Sequence, residues 1–177
     1  ERAQLAKPML LMIDRVDGFW PGAGEAGLGQ LRAVKDVDPG EWFFKAHFFQ
    51  DPVQPGSLGL EAMIQLMQFY MLETGLADGI EDPRFEPIAV GKKHVWKYRG
   101  QVVPKNKLIS STVEILDVVR DERGVLCVAD ASLWVDGKRI YEMKSLGMRI
   151  VSGGMGGPAP TKSGGGLPGD ASKKADS

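Results

Sequence analysis

The sequence predicts an α+β fold in which an antiparallel sheet curls around one long buried helix. Three observations predict it. Residues 57–74 are apolar nearly all round at helical spacing, four later segments have the pattern of strands, and the helix precedes most of these strands. The chain has 177 residues and 43% hydrophobic content, which suits one domain with a fair-sized core.

The segments before the helix have weaker patterns. Residues 8–16 form an apolar run with a polar break, which predicts an extended segment. Residues 18–29 are rich in turn-forming residues and predict a loop or a hairpin connection. Residues 28–37 alternate loosely, as expected for a strand, and residues 38–40 (Asp-Pro-Gly) predict a turn or the start of a helix.

The predicted helix carries one narrow polar stripe, formed by Glu61, Gln65 and Gln68 at positions i, i+4 and i+7. The other faces are apolar, so we expect the helix to be buried and not to lie on a surface. Gly75 is placed to end it, because glycine readily adopts the left-handed backbone of a helix C-terminus.

Strands are predicted after the helix over residues 88–98, 108–119, 125–135 and 139–151. The second has a phase shift near Leu116. The third is the clearest, since every other residue from Val125 to Val135 is apolar. Asp136-Gly137 is a hairpin signal before the last strand.

Residues 152–177 are rich in Gly, Pro and Ser and lack apolar periodicity. Such a segment cannot bury enough surface to offset the entropy of ordering it, which predicts a flexible linker or a frayed tail. The predicted folded domain is therefore residues 1–151.

Composition excludes several classes of protein. A net charge of -1 argues against a dedicated nucleic-acid binder. The single Cys127 and the two histidines, His47 and His94, leave little material for a metal site. We expect Cys127 to be a core residue and His94 to have a surface or packing role. No apolar run could span a membrane and no signal peptide is visible, so we expect a cytoplasmic protein.

Residues 47–65 carry the clearest chemical pattern. His47 precedes a loop stiffened by Pro52 and Pro55, and Gly56 then opens the buried helix. The first N–H groups of a helix lack internal partners and can stabilise an oxyanion. Glu61, in the first turns, is a candidate acid or base. Each feature alone is more often structural, but together they are what proton abstraction beside a thioester carbonyl requires.

The pattern H-F-x-x-D-P-x-x-P-G-x-L-x-x-E, from His47 to Glu61, strongly resembles the active-site segment of β-hydroxyacyl-[acyl-carrier-protein] dehydratases of the FabA/FabZ hot-dog superfamily. Residues 51–60 are most similar to the FabA branch. Residues 96–102 look most like the dehydratase domains of polyunsaturated fatty acid synthases and related lipid or polyketide synthases. The resemblance covers roughly residues 8–150 and implies a hot-dog fold.

The resemblance also implies roles for individual residues. His47 is the base that removes the α proton of a 3-hydroxyacyl thioester, and the Gly56 N–H binds the thioester oxygen. Glu61 orients the 3-hydroxyl and helps it leave as water. Gln65 would hold the Glu61 carboxyl, and the Val53 carbonyl would orient the His47 ring.

Two further positions belong to the same segment. Ser57 stands where the FabA branch commonly has Cys, and we expect Phe48 to help shape the substrate tunnel. The resemblance implies no metal or redox cofactor, with the substrate carried on the phosphopantetheine of an acyl carrier protein. Family dimers place the His of one subunit against the acid of the other, so we expect a homodimer or pairing with a neighbouring hot-dog domain.

Six basic residues lie within a short stretch after the helix: Lys92, Lys93, Lys97, Arg99, Lys105 and Lys107. They form either a solvated strand edge or a docking surface for an acidic carrier protein.

The expected reaction is dehydration to a trans-2-enoyl thioester. Glu61 stands where the FabA branch has Asp, which leaves trans-2/cis-3 isomerisation open. A hot-dog thioesterase and a non-catalytic hot-dog domain of a synthase are the alternatives. The intact set of His47, Gly56 and Glu61 favours dehydration over both.

Overall fold

The order of elements along the chain places the long helix before most of the sheet. The structure, a computed structural model, describes residues 3–86, 88 and 93–153. Within these residues a short 3₁₀ turn at Pro8–Leu10 is followed by β1 (Arg15–Trp20), β2 (Gln30–Asp36), α1 (Trp42–Ala46), α2 (Gly56–Glu73), β3 (Pro83–Phe85), β4 (Val95–Tyr98), β5 (Leu108–Asp121), β6 (Gly124–Val135) and β7 (Lys138–Ser152).

The strands form a single antiparallel sheet in the order β1-β2-β5-β6-β7-β3, with β4 also paired to β7. β3 pairs with the end of β7, while β4 pairs with its first half. Two short strands therefore share one edge of the sheet. The four residues of β4 are all exposed.

Helix α2 fills the space on the inner face of this sheet. It is buried on most sides, as predicted, and its apolar residues share one core with the inward-facing residues of the strands. Met63, Leu66, Met67 and Met71 have no exposed surface. Burying a side chain of this size stabilises the fold by about 1.5–3 kcal/mol relative to leaving it exposed. The helix ends where expected, since Gly75 has a φ of 69°.

The three long antiparallel strands β5, β6 and β7 follow the predicted pattern closely. The alternate residues of β6 from Val125 to Val135 are all buried. The register between β5 and β6 shifts between Ile115 and Asp117, at the predicted phase shift. Cys127 is fully buried, and burial raises the pKa of its thiol to about 12. It is therefore a core residue, as predicted, and an inert thiol.

Several boundaries differ from the prediction, and three of the differences follow. β1 includes residues 18–20, which the sequence predicts as a loop. Gly18 accommodates the Trp20 ring folded over it, where a Cβ would overlap that ring. The strand predicted over residues 88–98 is observed only at Val95–Tyr98, with residues 87 and 89–92 outside the described part. β7 extends through Ser152, because the following Gly153 N–H bonds to the Asp82 carbonyl and holds the chain against β3.

Residues 154–177, most of the predicted linker, lie outside the described residues. No helix in the described part of the chain is both long enough and apolar enough to cross a membrane.

We expect Gly59→Ala to destabilise the fold. A Cβ at this position in α2 would overlap the Tyr141 ring of β7, so the ring or the helix must shift. Overpacking of this kind costs about 1–3 kcal/mol, although alanine has the better helix propensity. The measurement is the free energy of unfolding in denaturant.

Ser57→Ala, an exposed change in the same turn of α2, serves as the control and should change stability by no more than about 0.5 kcal/mol. A Gly59→Ala variant as stable as the unmodified chain would contradict the close packing of this turn.

Candidate active site

His47 lies directly after α1 and is held by the loop that leads to α2. Its Nδ1 lies 3.1 Å from the Val53 carbonyl oxygen, and its backbone N–H bonds to the Phe43 carbonyl. The Phe48 ring lies beside the imidazole, with 4.0 Å between the ring centroids. His47 is partly exposed and Phe48 is 56% exposed. Both predicted residues therefore lie together on an open surface of this chain.

The contact with Val53 determines which nitrogen of His47 is free. A backbone carbonyl can only accept a hydrogen bond, so Nδ1 of a neutral His47 carries the proton in this contact. The Nε2 atom is then unprotonated and can accept a proton from a ligand. The loop that leads to α2 thus fixes the orientation of the His47 ring.

No side chain caps the first backbone N–H groups of α2. Pro55 is the N-cap residue and makes no side-chain hydrogen bond to the helix, since proline has no polar side chain. Among the described residues, none accepts a hydrogen bond from the N–H groups of Gly56 and Ser57, which open the helix. Free amides at the positive end of a helix dipole favour an oxyanion. The Ser57 side chain itself is exposed.

An aromatic wall covers one side of this helix start. It consists of Trp96 and Tyr98 of β4 and Tyr141 of β7. A Cβ on Gly56 would lie 3.0 Å from Tyr98 Cε2 and 3.2 Å from Trp96 Cη2, while one on Gly59 would overlap Tyr141. The resemblance implies that the Gly56 N–H binds the substrate, while the Cβ side of Gly56 is occupied by these aromatic rings. Gly56 and Gly59 leave room for the rings because they have no side chains.

Glu61 is held by Gln65, one helical turn further on. The Nε2 atom of Gln65 donates to Glu61 Oε1 at 2.8 Å and to the Leu10 carbonyl at 2.7 Å. Gln65 Oε1 accepts the Met12 N–H at 2.7 Å. Gln65 is fully buried and both ends of its amide are bonded, so its orientation is fixed. One carboxylate oxygen of Glu61 therefore points in a defined direction.

His47 and Glu61 do not meet within one chain. In the described part of the chain no hydrogen bond or ion pair joins them. Glu61 opens on a cavity of about 580 Å³. This cavity is lined by residues 3–7, Leu10, Gln68, Arg84 and Phe85, and His47 is not among its lining residues. In the described part of the chain, His47 and Glu61 therefore share neither a hydrogen bond nor this cavity.

Three of the remaining candidates, His94, Lys97 and Arg99, have structural partners. His94 Nδ1 lies 3.0 Å from the Ser145 carbonyl oxygen. Lys97 and Arg99 both face Glu142, at 3.2 and 3.9 Å, and the hydrogen bond from Lys97 is the main cause that lowers the pKa of this carboxyl. Lys92 lies outside the described residues. Among the residues described, no group of three or more His, Cys, Asp or Glu side chains could hold a metal ion.

Solved structures with a similar fold include enzymes of two kinds. The dehydratase heterocomplex ApeI:P from Xenorhabdus doucetiae matches with a TM-score of 0.57 at 12% identity, over 86% of this chain and 91% of that chain. A hypothetical thioesterase with coenzyme A from Streptococcus pneumoniae TIGR4 matches with a TM-score of 0.50 at 11% identity, over 78% of this chain and 85% of that chain. At such identities the likeness shows the fold alone, and it is the predicted hot-dog fold.

Comparison of sequences is more specific about the family than comparison of folds. Over 143 residues, or 80% of this chain, the sequence is 42% identical to one of the subunits of the polyunsaturated fatty acid synthase of Thraustochytrium sp. (strain ATCC 26185 / S-3). The chain spans 9% of the length of that relative. A family model described as the FabA-like domain matches residues 5–144, which include the whole of the His47–Gln65 segment. The chain therefore belongs to the family of FabA-like domains.

Proposed function

We propose that this domain is a dehydratase that removes water from 3-hydroxyacyl thioesters on an acyl carrier protein and forms trans-2-enoyl thioesters. Membership of the FabA-like family and the likeness to part of a polyunsaturated fatty acid synthase support a hydro-lyase of fatty acid or related polyketide biosynthesis. The observation that carries the proposal is the contact between His47 and Val53, because it leaves a free imidazole nitrogen on the loop that leads to the uncapped start of α2.

The reaction needs three groups from the protein. Nε2 of His47 takes the proton from C2 of the substrate, and the electron pair of that bond forms the C2–C3 double bond. The Gly56 N–H stabilises the negative charge that develops on the thioester oxygen. As the C3–O bond breaks, Glu61 orients the 3-hydroxyl, and His47 returns to it the proton taken from C2, so that it leaves as water and both side chains regain their starting state.

Gln65 contributes by orienting Glu61. Its hydrogen bond occupies one carboxylate oxygen and leaves the other for the substrate hydroxyl. We infer no metal or redox cofactor, because proton transfer and elimination of water require only a base, an acid and an oxyanion donor.

We propose that the complete site forms between two hot-dog domains. Among the described residues no hydrogen bond or ion pair joins His47 to Glu61, and β4 leaves an exposed strand edge with three large apolar side chains, Val95, Trp96 and Tyr98. Such an edge pairs readily with another strand. A second copy of this chain, or a neighbouring hot-dog domain, would bring its own Glu61 equivalent towards His47.

The carrier protein would approach the basic side chains of β4 and the following loop. Lys97 and Arg99 are about half exposed and share the single carboxylate of Glu142, so this pair keeps a net positive charge. An acidic carrier protein would be steered to such a surface.

Mass spectrometry of a carrier protein loaded with a 3-hydroxyacyl chain tests the proposal. The domain should remove the mass of one water molecule from the loaded carrier. His47→Ala should slow this loss by about 10²–10⁴-fold, because the base is removed. Release of a free acid from the carrier would identify a thioesterase instead.

His94→Ala is the matched control, since His94 is also held through Nδ1 by a backbone carbonyl. It should leave the rate of water loss unchanged. Equal losses of activity in the two histidine variants, or full activity in His47→Ala, would contradict the proposed role of His47.

Mixing two inactive variants tests whether the site is shared between copies. His47→Ala and Glu61→Ala homodimers should regain activity when their protomers are exchanged. A random mixture contains one hybrid dimer in two, and each hybrid has one intact site, so about a quarter of the unmodified activity should return. Hybrids seen by native mass spectrometry that stay inactive would contradict a site shared between copies of this chain.

A further inference from the structure

Gln68 is the member of the polar stripe on α2 for which the proposed reaction has no role. Glu61 is a proposed acid–base group, and Gln65 holds it through an amide that is bonded at both ends. Gln68 is partly buried, and its amide makes no hydrogen bond within the described residues. Its place on an otherwise apolar helix is therefore not explained by a structural bond.

Gln68 and Glu61 line the same cavity, which has a volume of about 580 Å³. The two residues are seven positions apart on one face of α2, so about 10 Å separates them along the helix axis. Most of the other lining residues have apolar side chains: Ala3, Leu5, Ala6, Leu10 and Phe85. The cavity therefore has mainly apolar walls beside the Glu61 carboxylate, with the Gln68 amide two helical turns further along.

The chemistry of these walls favours the hydrocarbon tail of a substrate over the polar arm that carries it. In the proposed reaction Glu61 contacts the 3-hydroxyl, so the carbons that follow C3 begin beside this carboxylate. Apolar walls stabilise a hydrocarbon tail, whereas the amide groups of phosphopantetheine would lose hydrogen bonds to water there. A tail that lies along α2 meets Gln68 only when it extends about 10 Å beyond C3.

We propose that Gln68 is a specificity-determining residue that disfavours long acyl chains. This inference rests on the proposed dehydratase function. A tail long enough to cover Gln68 removes its amide from water and supplies no hydrogen-bond partner, which costs binding free energy. A short tail leaves the amide hydrated. No bond to Gln68 forms or breaks, so the residue acts on the choice of substrate and not on the chemical step.

The test compares two chains on the same carrier protein. One is 3-hydroxydodecanoyl, whose tail is long enough to reach Gln68, and the other is 3-hydroxybutanoyl, whose tail is a single methyl group. The measurement is the ratio of kcat/KM for the long chain to kcat/KM for the short chain. Gln68→Leu should raise this ratio at least about fivefold, because no amide then loses its hydrogen bonds to water. Gln68→Glu should lower it, since a carboxylate costs more to bury than an amide.

Gln101→Leu is the matched control. Gln101 is exposed and does not line this cavity, so the same change there should leave the ratio unaltered. The thermal midpoint of Gln68→Leu should not fall, because no hydrogen bond of the described residues is lost. An unaltered ratio in Gln68→Leu overturns the proposal. Equal changes of kcat/KM for both chains overturn it too, because the cavity would then hold the arm that the two substrates share.

The unmodified domain separates this inference from the proposed function. If the unmodified domain removes water from the short chain and Gln68→Leu leaves the ratio unaltered, only the role of Gln68 fails. If the unmodified domain removes water from neither chain, the proposed function fails, and the role of Gln68 with it.

Discussion

The close packing of the first turn of α2 against the aromatic wall is the constraint on which the site depends. Gly56 and Gly59 lack the Cβ atoms that would collide with Tyr98 and Tyr141, so the helix start can lie directly on these rings. Pro55 leaves the same turn without a side-chain cap. The helix end is therefore fixed in position by apolar contact while its amides stay available. A side-chain cap would occupy the free N–H groups of this helix start, and loose packing would leave their position undefined.

His47 and Glu61, the proposed acid–base groups, are both oriented through hydrogen bonds that involve backbone groups outside α2. His47 takes its tautomer from the Val53 carbonyl in the loop before α2. Glu61 takes its orientation from Gln65, which is itself fixed by the carbonyl of Leu10 and the N–H of Met12. The backbone of Leu10 and Met12 thus influences the orientation of the Glu61 carboxylate through the buried side chain of Gln65. Because these bonds of Gln65 are all made inside the chain, Glu61 can be oriented before any partner or substrate arrives.

Much of this arrangement could be predicted from the sequence because it depends on local pattern. The apolar periodicity predicts α2, and the alternation in β6 predicts its buried face. The spacing from His47 to Glu61 predicts the chemistry, since both residues lie on one short segment. The aromatic wall could not be predicted in this way, because β4 and β7 are far apart in sequence and meet only through strand pairing. The lack of contact between His47 and Glu61 among the described residues also depends on the path of the loop, which the residue types do not determine.

The proposed dehydratase moves water at C3 of the acyl chain and leaves the thioester intact. The reverse reaction can be followed in water labelled with heavy oxygen, with a trans-2-enoyl chain on a carrier protein as the substrate. We expect an intact thioester that carries the label in its 3-hydroxyl group. Label in the carboxyl group of a released free acid would contradict it, because the attacked atom would then be the thioester carbon.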